Sequence, residues 1–142
     1  MKKILLVVLA VALMLPVTFI GGCKSTKVAA AAQIPAAFVF TTQPSGAVAG
    51  APLTQQPVVT LVDANGNVVT GYNWWVDLVI TPGTGASGAQ LLGLAQIDAV
   101  NGVATFTDIS IPNLGTDYTL TATDGSSISS ISAPFDVIPS GN

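Results

Sequence analysis

Histidine, arginine and glutamate are absent from this sequence, and its four basic side chains, Lys2, Lys3, Lys24 and Lys27, all precede residue 28. The acids are seven aspartates, all further along: Asp63, Asp77, Asp98, Asp108, Asp117, Asp124 and Asp136. From Ile34 onward seven aspartates face no lysine or arginine, a side-chain charge of −7; from Cys23 onward two lysines against seven aspartates leave −5. Nucleic-acid binding depends on Lys and Arg neutralising phosphates and releasing counterions, so that class is excluded. The same absences remove Ser-His and Cys-His pairs, Schiff-base lysines and arginine clamps, together with the usual ligands of zinc. Carboxylate chemistry survives on composition, but the chain has no Asp-Thr-Gly or Asp-Ser-Gly triplet. The expectation is a non-enzymatic protein with no cofactor and no metal. A single cysteine permits no internal disulfide. The folded part must therefore rely on its core, and a domain of roughly 100 residues is large enough for that, burying somewhat under about 70% of its unfolded surface.

What is present begins with an address. Ile4 to Ile20 is an apolar stretch behind Lys2 and Lys3, followed by the small residues Gly21 and Gly22, the layout of a secretory signal peptide. Interrupted by Pro16, the stretch is short for a membrane span, which needs about 20 apolar residues. Ile20-Gly21-Gly22-Cys23 resembles the lipobox of bacterial lipoproteins, although Gly21 departs from the commoner Leu-Ala-Gly/Ala-Cys form. The resemblance implies cleavage before Cys23, acylation of that cysteine, and an exported protein held to a membrane by lipid, at the cell surface or facing the periplasm. Residues 1–22 are then the signal peptide and 23–35 the lipidated cysteine with a flexible tether, whose 12 residues from Lys24 to Pro35 span at most about 40 Å when extended. A short helix from Val28 to Gln33 is the alternative for that stretch.

From Ala37 onward, short β-branched and aromatic runs alternate with Gly, Pro, Asn and Asp, and no stretch has helical period; the pattern reads as one all-β sandwich over 36–139, with 140–142 as a tail. The predicted strands are Phe38 to Thr42, Pro57 to Val62, Trp74 to Thr81, Ala95 to Val100, Val103 to Phe106, Tyr118 to Thr123 and Ala133 to Ile138, with a minor one near Asn67 to Thr70. Side chains two apart on a strand share a face. Val76, Leu78 and Ile80 therefore group on one inward face and Tyr118, Leu120 and Ala122 on another, leaving Asp77 and Thr119 toward water. Asn65-Gly66 and Asn101-Gly102 supply the positive φ values of tight hairpins, and Asp124-Gly125 marks a third turn. Pro82 to Gly88 reads as a flexible loop without phosphate-binding spacing.

Four segments follow a shared grammar: Phe38-Val39-Phe40-Thr41-Thr42-Gln43-Pro44-Ser45-Gly46, Val62-Asp63-Ala64-Asn65-Gly66-Asn67, Asn101-Gly102-Val103-Ala104-Thr105-Phe106 and Tyr118-Thr119-Leu120-Thr121-Ala122-Thr123. Together they resemble the bacterial immunoglobulin-like repeats of large surface proteins, akin to the invasin and intimin group, over Ala37 to Ile138. The resemblance implies an immunoglobulin-like β-sandwich of two antiparallel sheets with about 7–9 strands, used as a structural or adhesive module. Such repeats come in series and this chain carries one, so a stalk is not the expected role. Tyr118, two residues before Leu120, resembles a tyrosine corner, a structural role.

Two constellations offer groups that could bind a ligand. Asp63-Ala64-Asn65-Gly66-Asn67 offers oxygens at alternate positions, but Gly66 stands fourth and Trp74 occupies the twelfth place, where a calcium loop needs its bidentate Glu; the hairpin accounts for these residues without a metal. Trp74-Trp75 is unlike the small polar residues of the related repeats. The expected arrangement packs Trp74 inward while Trp75, with Tyr72, covers a sheet edge or loop. The alternative is an exposed aromatic platform of Tyr72, Trp74 and Trp75 for a surface glycan or a partner protein.

Overall fold

A computed structural model describes residues 32–141. The signal peptide, Cys23 and the tether as far as residue 31 lie outside the described residues. Ten strands follow in chain order: β1 Ala37–Thr42, β2 Ala47–Val48, β3 Val58–Val62, β4 Trp75–Ile80, β5 Gln96–Asp98, β6 Val103–Thr105, β7 Gly115–Tyr118, β8 Leu120–Thr123, β9 Ser129–Ile131 and β10 Phe135–Ile138. No helix occurs among the described residues, and the chain is an all-β, sandwich-like fold.

The sheet arrangement corrects the expectation of two wholly antiparallel sheets. There are three, in the orders β1-β3-β6, β2-β10-β7 and β5-β4-β8-β9, and β2 runs parallel to β10. The cause is local. The predicted strand Tyr118 to Thr123 is interrupted at Thr119, so β7 pairs with β10 while β8 pairs with β4 and β9. Ser132, between β9 and β10, bridges the break: its Oγ accepts from the Leu120 amide at 2.9 Å and its own amide donates to the Leu120 carbonyl at 2.8 Å. The minor strand near Asn67 to Thr70 is reduced to a single bridge between Val62 and Val68.

Alternation fills the core. Phe38 and Phe40 of β1, Val59 and Leu61 of β3, and Val76 and Leu78 of β4 point inward with Ala104, Phe106, Ile109, Ile111, Leu120 and Ala122. Each fully buried Leu, Ile or Phe among them contributes about 1.5–3 kcal/mol. Asp77 is half-buried. Thr119 is also half-buried, and its Oγ1 is sealed from solvent without a hydrogen-bond partner, a correction to its outward placement: the break between β7 and β8 suspends the alternation there.

Tyr118 is fully buried, donates its hydroxyl to the Asn113 carbonyl at 2.9 Å and stacks on Phe135 with 6.1 Å between ring centroids. The segment Pro82 to Gly88 packs against this ring: a Cβ at Gly85, whose φ is 65°, would collide with the Tyr118 side chain.

The two Asn-Gly turns are built differently. At Asn101-Gly102 both residues have positive φ, 51° and 81°, and Val100 and Val103 exchange both backbone hydrogen bonds, a two-residue hairpin of the I′ kind. At Asn65-Gly66 only Gly66 is positive, at 83°. There the Gly66 amide closes a turn on the Asp63 carbonyl, and Asp63 accepts the amides of Asn65 and Asn67 on Oδ1 at 2.8 and 2.9 Å. This is the longer loop in which a turn is followed by a left-handed glycine.

Candidate functional site

One end of the sandwich gathers four loops: the entering chain at 32–36, the long connection from Asp63 to Trp74, the β5–β6 turn and the turn after β8. Hydrogen bonds tie them together. Gln33 Oε1 accepts from the Thr70 amide at 3.1 Å, the Ala99 amide donates to the Trp74 carbonyl at 2.9 Å and the Gly102 amide to the Tyr72 carbonyl at 2.8 Å. Asn73 Oδ1 accepts from the Asn101 amide at 2.9 Å. The last residues of the expected tether are therefore held against the domain.

The three aromatic candidates separate here. Tyr72 belongs to the core: it is 9% exposed, meets Phe38 edge to face with centroids 6.2 Å apart, and donates its hydroxyl to Asp124 Oδ2 at 2.9 Å. Trp74 is 68% exposed, which overturns its inward placement, and Trp75 is 38% exposed. Trp75 begins β4, where Val76 and Leu78 face the core, so its alternate position faces out. Trp74 precedes the strand and escapes the alternation that would have turned it inward. The Trp75 ring lies over Gly125: a Cβ there would stand 2.9 Å from Trp75 Cη2.

Between Tyr72, Trp74, Trp75 and Asp124 lies an open cleft of about 280 Å³. A second hollow of about 470 Å³ also touches Tyr72 and Trp74 and is completed by Gln33, Pro35 and Thr70, among others. Asp124 is the residue that sequence reasoning missed, since Asp124-Gly125 signalled only a turn. Burial pushes its carboxyl up, but the Ser126 side chain and amide, with the Tyr72 hydroxyl, outweigh this and hold it below the usual carboxylate range. Burial first, then the hydrogen bond and charge of Asp124, drive the Tyr72 phenol well above its ordinary value. The cleft thus offers two indole side chains and a carboxylate that remains ionised. Among the described residues none is a lysine or arginine, since all lie beyond Lys27.

Asp63 is committed to its own turn, and the amide of Asn67 leads the hydrogen bonds that lower its pKa. Among the described residues no three of His, Cys, Asp and Glu stand close enough to share a metal ion. Compared with known proteins, the chain matches no family model and no curated sequence.

Proposed function

We propose that this protein is an exported, lipid-anchored, non-enzymatic module of immunoglobulin-like build, with a structural or adhesive role at a membrane surface. The observation that carries the anchoring is Cys23 standing directly behind an apolar run with a basic start and a small-residue approach. Strand continuity supports the immunoglobulin-like build. With β7–β8 and β9–β10 each taken as one interrupted strand, the ten strands become eight in two layers. One layer is β1-β3-β6; the other runs β2, β9–β10, β7–β8, β4, β5. The Tyr118 hydroxyl reaching back to the Asn113 carbonyl supports it too, as the geometry of a tyrosine corner. Metabolic labelling with a radioactive fatty acid tests the anchor: wild type should carry label and fractionate with membranes. Cys23→Ser should carry no label and either keep residues 1–22 or leave the membrane fraction, and equal labelling of the two would overturn the proposal.

A second reading, a binding module for a glycan or a protein, is favoured by one observation, the 68% exposure of Trp74 beside the Asp124 cleft. Tryptophan emission that shifts saturably on titration with soluble cell-wall oligosaccharides would support it, and an unchanged spectrum would count against a glycan.

A further inference from the structure

We infer that the Trp74 end of the domain rests on the bilayer that holds the lipid anchor, with Trp74 seated at the level of the lipid headgroups. The inference depends on acylation at Cys23. Ala32 follows Cys23 by nine positions, so at most about 32 Å of extended chain separates the anchored residue from the first described one. That residue opens at this end of the domain: Ala32, Gln33 and Pro35 line the hollow that Trp74 also lines, and Gln33 is fastened to Thr70. The tether therefore holds this end within about 32 Å of the anchored residue, and its apolar surface selects it as the end that meets the lipid.

The surface there suits that position. Ile34 is 77% exposed and Val100 67% exposed, and with Val68 they leave apolar side chains uncovered around Trp74. The intervening backbone is polar but satisfied: Val100 lies on the turn whose neighbouring amides bond Asn73 and Trp74. An indole is suited to a boundary with one apolar side and one wet side, and Trp is enriched at membrane–water interfaces for that reason. Interfacial seating of this kind buries apolar groups by about 5–10 Å. Of the carboxylates at this end, Asp63 and Asp124 accept hydrogen bonds from their own turns and, for Asp124, from Tyr72, and Asp98 is exposed opposite Trp75, so all three can stay in the hydrated headgroup layer. Lys24 and Lys27, between the anchor and the domain, supply the opposite charge. A large glycan or protein would have to enter the cleft from the membrane side.

The test uses the full acylated chain in phosphatidylcholine vesicles that contain lipids brominated high on the acyl chain. Trp74 and Trp75 are the only tryptophans, so each reports alone in the Trp75→Phe or Trp74→Phe variant. Trp74 should lose most of its emission to the bromines. A third reporter, Leu114→Trp in the Trp74→Phe/Trp75→Phe background, lies just before β7, at the opposite end of the β7–β8 run and at most about 30 Å along it, and should keep its emission. Acylated protein whose Trp74 is unquenched overturns the inference and leaves the anchoring intact. Equal quenching at Leu114→Trp overturns it as well, because the domain would then have no fixed end toward the lipid. An intact mass without acyl chains removes the anchor and the inference together. A saturable emission shift with soluble oligosaccharide, without quenching by bromolipid, assigns the cleft to a glycan instead.

Discussion

Gly102 and Gly66 occupy similar conformations in dissimilar surroundings, and replacing each by alanine separates backbone strain from packing. Both have φ near the left-handed region, 81° and 83°, where a Cβ costs about 1–2 kcal/mol. Alanine also removes freedom from the unfolded chain, which returns about 0.4–1 kcal/mol. At Gly66 nothing stands within 4 Å of the added carbon, so the net loss should be at most about 1.6 kcal/mol. At Gly102 the added carbon would lie 2.5 Å from the Val69 carbonyl oxygen and 3.1 Å from Val68 Cγ1. The turn cannot yield freely, because the Gly102 amide holds the Tyr72 carbonyl and its own carbonyl accepts from Leu61, each at 2.8 Å. Overpacking adds about 1–3 kcal/mol, for a total of about 1–4.6 kcal/mol. Urea unfolding followed by circular dichroism reads the difference: with a slope of about 1–3 kcal/mol per M, the two midpoints should differ by about 1 M. Equal midpoints would refute the packing argument. Loss at Gly66 alone would mean that the hairpins are misassigned.

Removing the Tyr118 hydroxyl with Tyr118→Phe leaves the Asn113 carbonyl short of a donor and should cost about 1–3 kcal/mol in the same assay; no change would contradict the buried hydrogen bond. The Tyr72 phenol is harder to ionise in the folded state, so its stabilising contribution is complete below the unfolded value of about 10 and is lost as pH rises through and beyond it. Wild-type stability should therefore decline on the alkaline side and Tyr72→Phe should flatten that limb, whereas parallel limbs would contradict the Tyr72–Asp124 link. Asp63 and Asp124 are shifted the other way, so their contributions hold above about pH 4 and disappear as pH falls through their lower folded values. With seven aspartates and no cationic side chain beyond Lys27, the N-acetylated domain from Ala32 should show a level or slightly raised melting temperature as sodium chloride shortens the Debye length from about 30 Å to about 8 Å. A clear fall would reveal attractive ion pairs.

The fold was legible where side-chain alternation is strong and pairing is local. Val76 and Leu78, or Phe38 and Phe40, announce their strands and inward faces, and Asn101-Gly102 announces the hairpin that joins β5 to β6. Pairing between residues distant in sequence was not legible. Ala47 and Val48 are too short to show a period, and they become a strand only because Val137 and Ile138 lie alongside in parallel. Ser129 to Ile131 carries serines at two of three positions and gains its strand character from β8. The interruption at Thr119 leaves no mark in a run that alternates on both sides of it. At the candidate site the aromatic pair was visible and its orientation was not, because Trp74 lies one residue outside β4. Asp124 acquires its partner from Tyr72, 52 positions away, which no local pattern encodes.

The most direct measurement is the intact mass of the protein extracted from membranes, with fragmentation of its N-terminal peptide. The expected result is a chain that begins at Cys23 and carries acyl chains on that residue, and a Cys23→Ser protein that keeps residues 1–22 or leaves the membrane fraction. A mature N-terminus elsewhere, or an unmodified Cys23 in membrane-bound protein, would contradict it.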